Sequence, residues 1–178
     1  MPPEISQVLL TAEELAAAVG HLAARLERDY AGRQPLLIGV LTGAYVFAAD
    51  LARRLELPVS LDFVAVSSYG DGTQSSGELD WLKRPSIALA DQDVVLVEDI
   101  VDSGETLARL QAELRRQGPR SLTCCALLDK PDRRTTAVTV EYIGLEIPDE
   151  FVVGYGLDYA QRFRNLPYVG VLRREVYC

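Results

Sequence analysis

The stretch that most constrains this chain is Val94 to Thr106, Val-Val-Leu-Val-Glu-Asp-Ile-Val-Asp-Ser-Gly-Glu-Thr. Four aliphatic residues in a row, three of them β-branched, suit a strand buried on both faces of a parallel sheet. Two acids, Glu98 and Asp99, follow at its carboxyl end, where open α/β sheets place their ligands. Asp102, Ser103, Gly104, Glu105 and Thr106 make a short polar turn, after which Leu107, Leu110 and Leu114 recur at +3 and +4 as one helical face. The turn therefore opens a helix. A helix start offers free backbone N–H groups and the positive end of a dipole, and Ser103 and Thr106 add hydroxyl donors, so the turn can hold a phosphate dianion. The acids before it would repel phosphate, which makes sense if they face sugar hydroxyls or a divalent cation carried with the phosphates. The glycine spacing and the lack of a Gly-Lys-Ser/Thr ending exclude a Walker A loop. A buried strand with a polar loop and an ordinary N-cap is the plain alternative.

At 178 residues the chain fits a single domain, 1–178, with enough length to bury most of its apolar surface. No apolar run reaches the roughly 18 residues needed to span a bilayer, so no membrane partner is expected. The opening Met-Pro-Pro-Glu-Ile-Ser has neither a basic nor an apolar leader segment, which points to the cytoplasm. The net charge of −8 has the wrong sign for a general nucleic-acid binder, so a phosphate ligand must be met locally. Cys124, Cys125 and Cys178 form no Cys-x-x-Cys pair, and with His21 as the single histidine they leave a structural zinc site without ligands. The first two lie in an expected strand and read as core; His21 lies off the apolar stripe of the first helix and reads as solvated.

Along the chain, Ile5 to Leu10 suits a short strand, and Thr11 with Glu14 makes a capping box for a helix whose apolar face is Leu15, Val19, Leu22 and Leu26. Leu36 to Leu41 reads as a buried strand entering Thr42-Gly43-Ala44, with a helix from Tyr45 to Leu55. Small residues at such a turn let a ligand approach the backbone, although a plain βα turn reads the same way. Val59 to Tyr69 suits a strand, followed by Gly70 to Glu78, which has no apolar residue and three glycines. That segment is either a flexible hairpin or a lid over 70–80. Ser121 to Leu128 is a further strand, ending at Asp129-Lys130-Pro131-Asp132. There Lys130 is placed to donate into a cleft, or to make an exposed ion pair. Val138 to Tyr142 and residues 169–172 complete the expected strands.

Taken together, the segment 94–106 resembles the phosphoribosyl-diphosphate signature of the type I phosphoribosyltransferases. Thr42-Gly43 resembles their diphosphate loop, and Ser68-Tyr69 resembles the start of their mobile loop. Ile147 to Arg164, continued by Asn165-Leu166-Pro167-Tyr168, is similar to the C-terminal segment of hypoxanthine-guanine phosphoribosyltransferases. The chain departs from many members in carrying Thr42 where they have Lys, which leaves a positive side chain missing and Thr42 a backbone contributor.

The resemblance implies an α/β fold, a mostly parallel sheet flanked by helices, with a small hood from about 1–12 and 145–178. It implies transfer of the phosphoribosyl group of 5-phosphoribosyl 1-diphosphate to N9 of hypoxanthine or guanine. In that scheme Glu98 and Asp99 meet the ribose, partly through Mg2+; Asp102 to Thr106 wrap the 5-phosphate; and Asp102 is the general acid/base at purine N7. Ile100 and Phe151 sandwich the purine, Lys130 donates to its 6-oxo group, and the backbone of Val152 meets its far edge. Asp158 holds a magnesium at the diphosphate, which Arg164 contacts, and the enzyme is a homodimer or homotetramer. The rivals are a nucleotide-sensing regulator of the same fold and a xanthine- or pyrimidine-specific transferase.

Overall fold

The computed structural model describes residues 1–67 and 79–177. Its elements in order are β1 (Ile5–Leu10), α1 (Ala12–Asp29), β2 (Leu36–Leu41), α2 (Tyr45–Arg54), β3 (Ser60–Val66), β4 (Trp81–Lys83), β5 (Asp93–Val101), α3 (Glu105–Arg115), β6 (Ser121–Asp129), β7 (Tyr142–Glu146), β8 (Val152–Val153), β9 (Val169–Leu172) and α4 (Arg174–Tyr177). The capping box forms as its spacing requires. The Glu14 N–H donates to the Thr11 hydroxyl at 3.2 Å and the Thr11 N–H donates to the Glu14 carboxylate at 2.8 Å, satisfying two of the free donors of α1. Leu15, Val19, Leu22 and Leu26 are all buried, while His21 is exposed.

Six strands form one sheet in the order β4-β3-β2-β5-β6-β7, with β4 antiparallel and the others parallel. Alternation sends Val95 and Val97 into a core shared with α1 and α2, and Val94 and Leu96 into a second core with Leu107, Leu110 and Leu114 of α3. Covering both faces explains why β5 needs an unbroken aliphatic run. From β2 the chain moves outward to β3 on one side, while β5, β6 and β7 follow on the other. The crevice at the carboxyl ends of β2 and β5 is therefore the point at which strand order reverses, the usual ligand position in such sheets. A second, antiparallel sheet, β1-β9-β8, joins the two ends of the chain.

Some expected boundaries move. Residues 138–141 are not a strand; pairing with β6 begins only at Tyr142, opposite Cys125. The reason is visible in the partners of that segment. The Thr139 carbonyl accepts from Gln111, the Glu141 carboxylate turns inward to accept from the Cys124 N–H, and Val138 and Val140 pack against the α3 core, so side chains take the place of a ladder. β3 stops at Val66, and within it Leu61 is 40% exposed, whereas Asp62 on the opposite face is buried. β5 continues through Glu98 and Asp99 to Val101, because Glu98, Ile100 and Val101 still pair with β6. Cys124 and Cys125 are both buried, and burial holds both thiols up, Cys125 at about 12, which leaves neither a ready nucleophile. Ser68, Tyr69 and most of the expected lid lie outside the described residues.

A candidate active site where the strand order reverses

The loop after β2 starts with a cis peptide between Leu41 and Thr42, and its turn is closed by the Tyr45 N–H donating to the Thr42 carbonyl at 3.2 Å. Two glycines then allow three segments to meet. A Cβ on Gly43 would lie 1.6 Å from Asp99 Oδ2, and one on Gly156 would lie 2.1 Å from the Gly43 carbonyl oxygen. A side chain at Gly156 would push the 154–164 segment off the β2 loop, and one at Gly43 would displace the Asp99 carboxylate. Residues 42 and 43 therefore sit directly against the acids that end β5.

Those acids are half-buried, with few donors. Asp99 Oδ1 accepts from the Ile100 N–H at 2.8 Å, while Glu98 Oε2 has no partner among the described residues. Burial, and then the neighbouring Asp99 charge, push the Glu98 carboxyl well above the usual carboxylate range. Burial also raises Asp99, to about 6, against the pull of two backbone N–H groups and of Arg164. Two adjacent carboxyls out of water and short of donors are unfavourable unless something else meets them, which marks a ligand position.

Asp158 and Arg164 come up beside Asp99 on the segment that passes Gly156. They pair at 2.8 Å; Arg164 also donates to the Gly156 carbonyl at 2.8 Å, and Asp158 accepts from the Gln161 N–H at 2.8 Å. Behind this group lies a cavity of about 680 Å³ lined by Tyr45, Asp50, Arg53, Tyr155 and Arg164 among others. Among the described residues, Arg164 is the only sequence-predicted site residue on its wall.

The polar turn is shaped by Gly104, whose φ of 83° opens α3. Ser103 holds it from both sides: its hydroxyl accepts from the Glu105 N–H at 3.3 Å and its carbonyl accepts from the N–H groups of Thr135 and Thr136 at 3.1 Å. Glu105 points outward to Arg109, and Thr106 is half-buried. Asp102 has two partners that sequence reasoning missed. Arg133 Nε donates to its carboxylate at 3.0 Å, and Arg134 donates to its carbonyl at 2.8 Å while also pairing with Asp129. The signal was the Arg-Arg pair three residues beyond the strand-ending Lys130, too common a pattern to single out.

At the end of β6, Lys130 is 7% exposed, which rules out the surface ion pair. Its ammonium donates to the Glu150 carbonyl at 2.7 Å, and its N–H donates to Val101 at 3.0 Å. This ties the ends of β5 and β6 to the residue before Phe151. Phe151 is half-exposed, Val152 is buried, and Ile100 is half-buried at the end of β5. The chain thus gathers three neighbouring sets: Thr42, Gly43, Glu98, Asp99, Asp158 and Arg164; Asp102 to Thr106; and Ile100, Lys130, Phe151 and Val152.

Residues 7–160 match the phosphoribosyl transferase domain family. A hypoxanthine-guanine phosphoribosyltransferase of Streptococcus mutans is 43% identical over 97% of this chain and 96% of its own length. The bifunctional protein TilS/HprT of Listeria innocua is 45% identical over 99% of this chain, which spans only 27% of that relative's length. The crystal structure of a hypoxanthine-guanine phosphoribosyltransferase from Bacillus anthracis superposes with a TM-score of 0.91 at 44% identity, covering 96% of this chain and 100% of that one.

Proposed function

The chain belongs to the phosphoribosyl transferase domain family, among its hypoxanthine-guanine members, and from that premise we propose the reaction its cleft carries out. N9 of hypoxanthine or guanine attacks C1 of 5-phosphoribosyl 1-diphosphate; the bond from C1 to the diphosphate oxygen breaks, its electron pair leaving with diphosphate; and IMP or GMP is formed. The transition state is oxocarbenium-like and needs no covalent nucleophile. Asp102, at the mouth of the phosphate turn, takes the proton that leaves purine N7 as N9 becomes nucleophilic. Ser103 to Thr106 hold the 5-phosphate through backbone and hydroxyl donors. Glu98 and Asp99 meet the ribose hydroxyls, which supply the donors that Glu98 Oε2 lacks. Thr42 and Gly43 present backbone to the diphosphate, and Arg164 turns from Asp158 to contact it.

Among the described residues no three acids, cysteines or histidines gather as a closed metal cage. That donor set fits magnesium, which takes one or two carboxylates and fills its remaining positions with water and substrate oxygens. The Glu98–Asp99 pair would hold one such ion beside the ribose and Asp158 another beside the diphosphate, where it would neutralise charge on the leaving group.

The observation that carries the choice of base is Lys130, a buried ammonium at the end of β6 tied to the residue before Phe151. An ammonium donates hydrogen bonds and accepts none, so it suits the 6-oxo group of hypoxanthine or guanine and mismatches the amino group of adenine. Ile100 and Phe151 flank the ring, and the Val152 backbone meets its far edge. In this reading residues 1–12 and 145–178 act as a hood and 70–80, with Ser68 and Tyr69, as a lid. The enzyme works in the cytoplasm as a homodimer or homotetramer. The deciding experiment is a panel of free bases with 5-phosphoribosyl 1-diphosphate and magnesium. Hypoxanthine or guanine should exceed adenine by about 10⁴ in kcat/KM, because adenine leaves the buried charge unpaired. Equal use of adenine would sink the assignment, and salt-sensitive retention of nucleic acid on a filter would favour a regulator instead.

A further inference from the structure

Phe151 does not present its ring alone. Tyr177 covers one face in a stack, with centroids 4.7 Å apart and planes 25° from parallel, and Tyr159 meets it edge-on at 5.7 Å and 87°. Tyr177 lies on α4, the last turn of the chain, and that turn is fixed by polar contacts on several sides. The Tyr159 hydroxyl donates to the Val176 carbonyl at 3.0 Å, the Arg173 N–H donates to Glu4 at 2.9 Å, and Arg173 Nε donates to Pro3 at 2.8 Å. Tyr159, Val176 and Tyr177 pack against the buried group Ile5, Val153, Phe163 and Leu172. The Leu172 N–H donates to the Phe151 carbonyl at 2.8 Å, so the backbone of Phe151 and the root of the terminal turn are also held together.

An unsupported ring that is 37% exposed would exchange rotamers, and stacking a ligand on it would require that freedom to be lost on binding. Stacked from behind and wedged from the edge, this ring has already lost it. Phe151 directly follows Glu150, whose carbonyl accepts from the Lys130 ammonium, so this partly open ring stands at the end of the cleft where the base-reading lysine is tied. We infer that Tyr177 is a base-positioning residue: with Tyr159 it holds Phe151 in the orientation that receives the purine, so that base, Phe151 and Tyr177 form one stack. This rests on the phosphoribosyl transfer proposed above. Tyr177 touches no substrate. It acts through Phe151 alone and has no part in holding the sugar diphosphate.

The test is steady-state kinetics on the full chain for wild type, Tyr177→Ala, Tyr177→Phe and Glu175→Ala, the last an exposed neighbour on the same turn. Tyr177→Ala should raise KM for hypoxanthine about three- to tenfold, the size of one aromatic pair, while KM for 5-phosphoribosyl 1-diphosphate stays within about twofold. Tyr177→Phe, which keeps the ring, and Glu175→Ala should both match wild type. An unchanged hypoxanthine KM in the Ala variant, or equal rises for both substrates, would overturn the inference, since a merely structural ring would move both or neither. Should the Ala variant fail to fold by circular dichroism, Tyr177→Leu keeps bulk without a π face and is read by the same split. A wild type that converts no purine would overturn the reaction itself; an active wild type with an indifferent Tyr177 overturns only the stack.

Discussion

Asp62 is buried on β3 and the Glu98–Asp99 pair is half-buried on β5 of the same sheet, and these acids are treated in opposite ways. The Asp62 carboxylate accepts from the Lys83 ammonium at 3.0 Å, from the N–H groups of Phe63 and Ile87 at 2.7 and 3.0 Å, and from the Ser86 N–H. Burial raises its pKa, but these donors more than offset that and hold it at about 2. At the end of β5, burial prevails: Asp99 sits at about 6, and Glu98 stands well above its ordinary range with one oxygen unpartnered among the described residues. An acid the fold needs for itself is surrounded by the fold's own donors. An acid kept for a ligand is left short of them, because the ligand brings them.

The sharpest way to break this comparison is through the third acid of the region, Asp102, which is half-buried and shares its carboxylate with Arg133. Asp102→Asn keeps the shape and the backbone turn but cannot take a proton. Its kcat should fall by roughly 10² to 10⁴ with the melting temperature within a few degrees of wild type. Unchanged turnover at saturating substrate would remove Asp102 from the chemistry.

Next comes the pair itself. Asp99→Asn removes a half-buried charge that the described residues do not fully compensate, so it should leave thermal stability unchanged or slightly raised. It should weaken 5-phosphoribosyl 1-diphosphate about ten- to a hundredfold in KM, the loss expected for one charged hydrogen-bonding group. If instead the variant unfolds several degrees earlier and binds normally, Asp99 belongs with Asp62 and the contrast is wrong.

How far the sequence could have announced this contrast depends on the range of the interactions. The β5 run, its acids, the polar turn and the leucine face of α3 lie within about twenty consecutive residues, so local pattern alone announced that strand, its turn and its helix. The same held for Thr11 with Glu14. The partners that give each acid its character are distant in sequence. Lys83 is 21 residues from Asp62, Arg133 is 31 from Asp102, and Gly156 reaches Gly43 only through the fold. Asp62 sat unnoticed as one acid in an apolar strand, and residues 138–141 read as a strand because their β-branched side chains say nothing of the Gln111 and Cys124 contacts that replace the ladder. Tyr177, in the last turn, carries no pattern at all; only the ring of Phe151 gives it meaning.

The smallest effect comes from Asp62, and it sharpens the comparison through pH. Lowering a carboxyl from 3.8 to about 2 on folding corresponds to about 2 kcal/mol of stability, at about 1.4 kcal/mol per unit. Because the folded pKa is the lower one, the unfolded chain binds the proton first as pH falls. The contribution is therefore complete above the ordinary carboxylate value, declines through the window between about 4 and 2, and is gone below it. Asp62→Asn should reduce the unfolding free energy by about 2 kcal/mol at pH 7 while leaving KM for both substrates within about twofold, since its carboxylate meets Phe63, Lys83, Ser86 and Ile87, none of them among the gathered site residues. In urea titrations at several pH values the gap between wild type and variant should shrink to about half its size near pH 3. A gap that stays constant from pH 7 down to pH 3 would mean that the Asp62 site depends on shape and not on charge. The opposition between an acid satisfied by the fold and acids held open for a ligand would then lose its electrostatic basis.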